Sequence, residues 1–279
     1  MIPQRNLSLL SNRLARHGGR RIPEAVLERD YCLAWFLVGL SRSPLHARIV
    51  FKGGTALKRC YFGDYRFSED LDFTLTEDLS FDELRAELEP IFVDVQRSSA
   101  IAFRFEREDR QRHTNCYTFY LSYEGPLPAR VLSQVKVDMT IRERLVLPIA
   151  QQPVIRGYDE YEDLPEGAIV RVYSLEEIAV EKIVALSDRA RNEPRDLFDI
   201  WHLTTQGHIV LDHLTAEIAS KLEFRGRAKI AIGDEFQKKE ARLKMLWGTR
   251  LSAQMSELPE FDRVFRSVQR SLRQAGLAG

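Results

Sequence analysis

The stretch Lys52-Gly53-Gly54-Thr55-Ala56-Leu57, followed by Arg66-Phe67-Ser68-Glu69-Asp70-Leu71-Asp72-Phe73, decides how this chain is read. Upstream, the apolar run Ala47-Arg48-Ile49-Val50-Phe51 predicts a short strand, and a helical pattern starts at Ala56 and runs to Tyr61. The two glycines therefore fall at a strand-to-helix turn. Such a turn exposes backbone N–H groups, which together with the helix dipole favour a polyphosphate. The absence of a Cβ at Gly53 and Gly54 lets phosphate oxygens approach the backbone. Thr55 either adds a hydroxyl donor or caps the helix.

Leu71-Asp72-Phe73-Thr74-Leu75 predicts a second strand. Its two-residue period places Asp70 and Asp72 on one face, about 7 Å apart along the chain. Two hard oxygen ligands suit Mg²⁺ (or Mn²⁺), and Mg²⁺ prefers carboxylates with water and substrate phosphates to an all-protein cage. Asp138 stands in Val135-Lys136-Val137-Asp138-Met139, a further strand on which it points away from Val137 and Met139. It is either a third metal ligand or a solvated residue paired with Lys136 or Arg142. Lys52 is a phosphate contact or a surface lysine, and Arg66 meets phosphate or pairs with Glu69 or Asp64. Ser68 shares the face of Asp70 if the strand begins that early, where its hydroxyl bonds a nucleotide or caps the turn.

At these residues the chain resembles the nucleotidyltransferase superfamily of DNA polymerase β, whose pattern is a Gly-Gly or Gly-Ser turn, an Asp-x-Asp or Asp-x-Glu pair and a later Asp. The closer resemblance is to the AbiEii/AbiGii toxin family, which includes the mycobacterial MenT toxins. Its features stand here as Glu28-Arg29-Asp30-Tyr31, Phe51 to Leu57, and Arg66 to Asp72. They continue as Glu176 to Leu186, then Arg189 with Arg195-Asp196-Leu197-Phe198-Asp199-Ile200, so that the ordered set spans residues 28 to 205.

The resemblance implies metal-dependent transfer of NMP from an NTP to RNA, typically the 3′ end of tRNA, which blocks aminoacylation and hence translation. It also implies a possible cognate antitoxin. Asp70, Asp72 and Asp138 are the implied metal ligands, with Asp138 assisting deprotonation of the incoming hydroxyl by analogy. Lys182 shares a helical stripe with Ile178 and Ala185, so it is expected partly buried and in need of an anionic partner. The resemblance gives it a catalytic role, in phosphate contact or in stabilising developing charge. Pro194 suits the first turn of a helix that puts Asp196 and Asp199 on one face. Each is either an active-site carboxylate or a structural one paired with Arg189, Arg191 or Arg195, and the family's Arg-Asp pair aligns with Arg195-Asp196. The implied catalytic set is Asp70, Asp72, Asp138, Lys182 and Asp196; the nucleotide-binding set is Lys52, Gly53, Gly54, Thr55, Arg66, Ser68 and Asp199.

Composition fits an enzyme of ordinary globular kind, with 279 residues, 44% hydrophobic and 29% charged. No apolar run approaches the roughly 18 residues that span a bilayer, and the first residues lack a secretory h-region, so a cytoplasmic protein without a membrane partner is expected. Three widely spaced cysteines, Cys32, Cys60 and Cys116, argue against a disulfide framework or zinc site. Net charge is zero, yet from Lys221 to Arg273 there are 13 basic against 7 acidic residues. That excess suits either a phosphate backbone or a set of solvated helix faces. Two other functions fit part of the pattern. Nucleotidyl transfer to a protein or small-molecule hydroxyl would use the same site, whereas a catalytically silent RNA- or partner-binding module would not need the intact Gly-Gly and Asp-x-Asp set.

Helices are predicted over 6–16, 23–40 and 81–95, the last capped by Ser80. Strands are predicted over 102–106, 116–123 and 130–140. Beyond about residue 165 the strand signal fades, and helices are predicted over 175–190, 194–204, 212–222, 234–247 and 260–275. The expected fold class is α/β (α+β), a small mixed nucleotidyltransferase-like sheet flanked by helices and followed by a C-terminal helical bundle. The expected domains are 1–165, the core, and 166–279, a helical domain completing the active site.

Overall fold

The structure, a computed structural model, describes residues 1–16, 19–109, 115–128 and 133–278. Helices α1 (Gln4–Ala15) and α2 (Glu24–Ser41) lead into β1 (Ile49–Lys52), a short α3 (Gly53–Ala56) and one π-turn (Leu57–Tyr61). Then come β2 (Leu71–Leu75), α4 (Phe81–Ser99), β3 (Ala102–Glu108), β4 (Cys116–Glu124), β5 (Ser133–Thr140), β6 (Ile149–Pro153) and β7 (Ile169–Tyr173). The strands form one mixed sheet in the order β3-β4-β5-β2-β1-β7-β6. In it β1 runs antiparallel to β2 and parallel to β7, and β2 runs parallel to β5. The remainder is helical: α5 (Leu175–Leu186), α6 (Pro194–Thr205), α7 (Thr215–Phe224), α8 (Ile232–Lys238), α9 (Glu240–Leu251) and α10 (Phe261–Gln274). The expected class, a mixed sheet with helices and then a helical bundle, is the one observed.

Contacts divide the chain into Met1–Glu143 with Ile149–Val172, and Arg144–Pro148 with Tyr173–Gly279. In the first unit α2 is buried almost all round, from Leu27 to Leu40, and packs on α4. Ser80 caps α4 through a reciprocal pair, the Glu83 N–H donating to Ser80 Oγ (3.3 Å) and the Ser80 N–H to Glu83 Oε2 (2.9 Å). The polar residues of α2 hold the segment after the glycine turn. Asp30 accepts from buried Arg59 through both oxygens, and Arg59 Nη1 also donates to the carbonyls of Ile155 (3.0 Å) and Arg156 (3.2 Å). The Tyr161 hydroxyl sits 3.1 Å from Asp30 Oδ2.

In the second unit α5 packs on α6 and α7, and α6 on α9 and α10. Ser174 caps α5, its Oγ accepting from the Glu177 N–H at 3.1 Å. Glu177 is itself buried, ion-paired with buried Lys221, and takes the N–H groups of Val146 (3.1 Å) and Leu147 (2.9 Å). Burial pushes its carboxyl above the usual range although Lys221 opposes this.

Four sequence expectations differ from the structure. The helix after β1 begins at Gly53, not Ala56. The helix expected over 175–190 ends at Leu186, and the one over 234–247 breaks at Lys239, whose buried ammonium donates to the Arg191 carbonyl at 2.7 Å. Strands β6 and β7 were not expected, and β7 pairs with β1 through Phe51 and Val172. Strand β5 was expected from Arg130, which lies outside the described residues.

Candidate active site

Chain geometry at the glycine turn follows from the residues that close on it. Gly53 adopts φ +79°, a left-handed conformation that L side chains rarely take. A Cβ there would overlap the Asp72 carboxylate and stand 3.2 Å from Asp72 Cβ and Cγ. At Gly54 a Cβ would come 2.6 Å from Arg66 Nη2 and 3.1 Å from Ser68 Oγ. The two glycines thus admit, side by side, one acidic group and a buried cation with a buried hydroxyl. Thr55 donates its hydroxyl to the Asp70 carbonyl, which ties the loop before β2 to the turn. Gly53→Ala is expected to cost about 1–2 kcal/mol of stability from backbone strain alone and to displace Asp72. Gly54→Ala, whose clash is with the movable end of Arg66, should cost less. Melting temperatures of the two variants check this ordering.

Register then builds a row across the sheet. Lys52 stands opposite Asp72, Asp72 beside Asp138, and Asp138 opposite Thr118, on four consecutive strands. Adjacent strands lie about 4.8 Å apart, so Asp72 and Asp138 are neighbours on one face. Phe51, Phe73, Val137 and Met139 are buried and alternate with these positions, as the sequence pattern of β5 anticipates. Asp138 accepts from Thr118 Oγ1 and from Lys136 Nζ, each at 2.6 Å. Burial lowers the affinity of Lys136 for its proton, but the hydrogen bond to Asp138 and the charges of Asp138, Asp70 and Asp72 outweigh it and raise the pKa. Lys52 is buried and donates to Thr140 Oγ1 at 3.0 Å, so it is not a surface lysine. Arg66 is likewise buried, its Nη1 donating to the Phe67 carbonyl at 3.3 Å. From the sequence Lys136 is expected only as a neutralising partner of Asp138, and Thr118 and Thr140 are not expected at the site. Lys136 and Thr140 flank Asp138 at two-residue offsets, a signal open to reading, whereas Thr118 becomes adjacent only through pairing of β4 with β5.

Among the described residues no group of three or more His, Cys, Asp or Glu side chains is drawn together as a ready metal cage. The donor set nonetheless has the chemistry a hard divalent ion requires. Two carboxylates in direct register face the same side, one already meets an ammonium ion, and Mg²⁺ takes few protein ligands beside water and phosphate.

The second unit gathers Lys182, Asp196 and Asp199. Lys182 Nζ lies 2.6 Å from Asp196 and 2.8 Å from Asp199, and Arg191 Nε lies 2.6 Å from Asp196. The anionic partner that a buried Lys182 requires is therefore this aspartate pair. Burial alone would raise the Asp196 carboxyl, but Lys182 and Arg191 hold it below the usual carboxylate range. Of the alternative partners, Arg189 pairs with Glu235 at 2.6 Å and Arg195 approaches Glu193 at 3.6 Å. Lys182→Ala leaves two buried carboxylates against Arg191 and is expected to cost about 3–5 kcal/mol. Lys182→Arg should recover much of that loss, and denaturant unfolding of both variants checks it.

A glycine turn closed on an aspartate of a mixed sheet, with a second aspartate on the next strand, is the arrangement expected of a nucleotidyltransferase. The sequence pattern described as "Nucleotidyl transferase AbiEii toxin, Type IV TA system" matches residues 35–267. The chain belongs to this family of nucleotidyltransferase toxins of type IV toxin–antitoxin systems. Membership brings with it an NTP substrate and a cognate antitoxin. The fold is similar to that of MenT4, a nucleotidyltransferase toxin from Mycobacterium tuberculosis H37Rv, with TM-score 0.61 and 18% identity, covering 96% of this chain and 89% of that one. No curated protein matches the chain. No helix among the described residues is long and apolar enough to cross a membrane.

Proposed function

We propose that the protein transfers NMP from an NTP to the 3′-terminal hydroxyl of RNA, at the acceptor end of tRNA, and so blocks translation. The observation that carries the reading is the placement of Asp72, packed on Gly53 on one side and in register with Asp138 on the other. Gly53, Gly54 and Thr55 form the triphosphate cradle, with Lys52, Arg66 and Ser68 close around it. Asp70, Asp72 and Asp138 would hold Mg²⁺ or Mn²⁺. The bound ion supplies charge neutralisation at the α-phosphate and at the departing pyrophosphate. Asp138 takes the proton of the RNA hydroxyl as its oxygen bonds to the α-phosphorus and the bond to the β-phosphate oxygen breaks. Thr118 and Lys136 orient Asp138 for that task. Lys182 belongs to the proposal through the family resemblance, as a phosphate contact or a stabiliser of developing charge, with Asp196 and Asp199 as the carboxylates that hold its ammonium. The reaction places the protein in the cytoplasm.

Purified protein incubated with Mg²⁺, each labelled NTP in turn and total tRNA should label tRNA, and periodate oxidation of the RNA 3′ end should prevent labelling. Label appearing only on protein or a small alcohol would overturn the choice of acceptor. Ser68 supplies a further check. It is buried beside Gly54, so a negative charge there repels the triphosphate. Ser68→Asp is expected to weaken NTP binding, measured by calorimetry, far more than Ser68→Ala, and equal affinities would remove Ser68 from the cradle.

A further inference from the structure

Helix α10 carries arginines at 263, 266, 270 and 273, all exposed. At 3.6 residues per turn these fall within an arc of about 80°. Phe261, Val264, Phe265, Val268 and Leu272 are buried on the opposite face. The arginines therefore make a single stripe that extends about 15 Å along the helix at 1.5 Å per residue.

Neighbouring carboxylates do not neutralise this stripe. Among the described residues, no hydrogen bond or ion pair engages Arg263, Arg270 or Arg273, and Arg266 Nε donates only to the backbone carbonyl of Asp262 (3.0 Å). The Asp262 carboxylate is taken by Lys244, at 2.8 and 3.0 Å. Like charges three and four residues apart destabilise a helix, and here they recur along one face of a chain whose acidic and basic residues balance at 41 each. Such an arrangement fits a polyanion laid along the helix.

Three features select the polyanion. No large exposed apolar residue lies on α10, so the stripe lacks the anchors that centre a protein interface. Its apolar face is buried, which leaves nothing to enter a lipid headgroup layer. All four cations are arginines, whose planar fork matches phosphate oxygens in pairs. A length of about 15 Å accommodates roughly four phosphates of one duplex strand at about 3.4 Å each along the axis.

We infer that the Arg263–Arg266–Arg270–Arg273 stripe is a docking surface for the phosphate backbone of the RNA acceptor. The choice of RNA among nucleic acids rests on the proposed function; the surface itself does not. The stripe holds the acceptor without reading its sequence, since phosphate contacts position and base contacts specify.

Binding of fluorescently labelled unfractionated tRNA, without NTP, tests this across a series of salt concentrations. The variant with Arg263, Arg266, Arg270 and Arg273 all changed to Gln is expected to bind at least about tenfold more weakly at low salt. The slope of log K against log salt should flatten by about three, four lost contacts counting about 0.7–0.9 each. NTP affinity should stay at the wild-type value and the melting temperature should not fall, which excludes a folding defect. An unchanged slope and affinity would overturn the inference. So would loss of binding to phosphatidylserine vesicles or to polyglutamate with tRNA binding intact. Failure of the proposed function appears separately, as wild-type protein that binds tRNA but never labels it.

Discussion

Asp72→Ala should abolish transfer of label from NTP to any acceptor, lowering turnover by at least about a thousandfold. The carboxylate is half-buried and packs on Gly53, so its removal opens no core cavity and the variant should melt close to wild type. On the proposed function, Asp72 would help hold the ion that neutralises the α-phosphate, a contribution of several kcal/mol, and each ~1.4 kcal/mol is a factor of ten in rate. In a bacterial host, wild-type protein without its antitoxin should arrest growth, and the Asp72→Ala form should be harmless at equal soluble yield. Turnover within tenfold of wild type would remove Asp72 from the metal site.

Arg59→Ala should produce the largest loss of stability. Arg59 is 1% exposed and Asp30 2% exposed, and each satisfies the other in the interior of the first unit. Taking away one partner leaves an uncompensated buried charge, at a cost of about 3–5 kcal/mol. It also orphans the carbonyls of Ile155 and Arg156. Against a total stability of roughly 5–15 kcal/mol, that is a large share of what keeps the protein folded. Guanidinium unfolding measures the loss, and replacing the pair together with Leu and Met should restore part of it because no lone charge then remains. A loss under 1 kcal/mol for Arg59→Ala would show that water enters this network.

Local chemistry was legible in the sequence and pairing was not. The Gly-Gly turn and the strand bearing Asp72 each declare themselves within a few residues, and alternation along 135–139 sets Asp138 apart from its core-facing neighbours. Which strand lies beside which depends on contacts distant in the chain. The adjacency of Asp72 to Asp138, and the hydroxyl of Thr118 on the latter, emerged only with the sheet. Strand β7 was overlooked because Ile169-Val170-Arg171-Val172-Tyr173 is short and follows a stretch of turns; its pairing with β1 gives it strand form. The role of Glu28-Arg29-Asp30-Tyr31 was equally hidden. The sequence marks it as a family feature, and the structure shows Asp30 and Tyr31 occupied with Arg59 and Asp163, in support of the fold.

The parallel pairing of β2 with β5 has a consequence for when this protein becomes dangerous. Side chains alternate faces along a strand, so a slip of one residue in either partner would turn Asp72 or Asp138 into the apolar layer and bring Phe73 or Val137 outward. A chain that is partly folded, or folded out of step, therefore has no weak version of the acidic pair. On the proposed function, transfer waits until that register is right. For a cell that makes its own poison, that interval between synthesis and register is the time in which an antidote can arrive first.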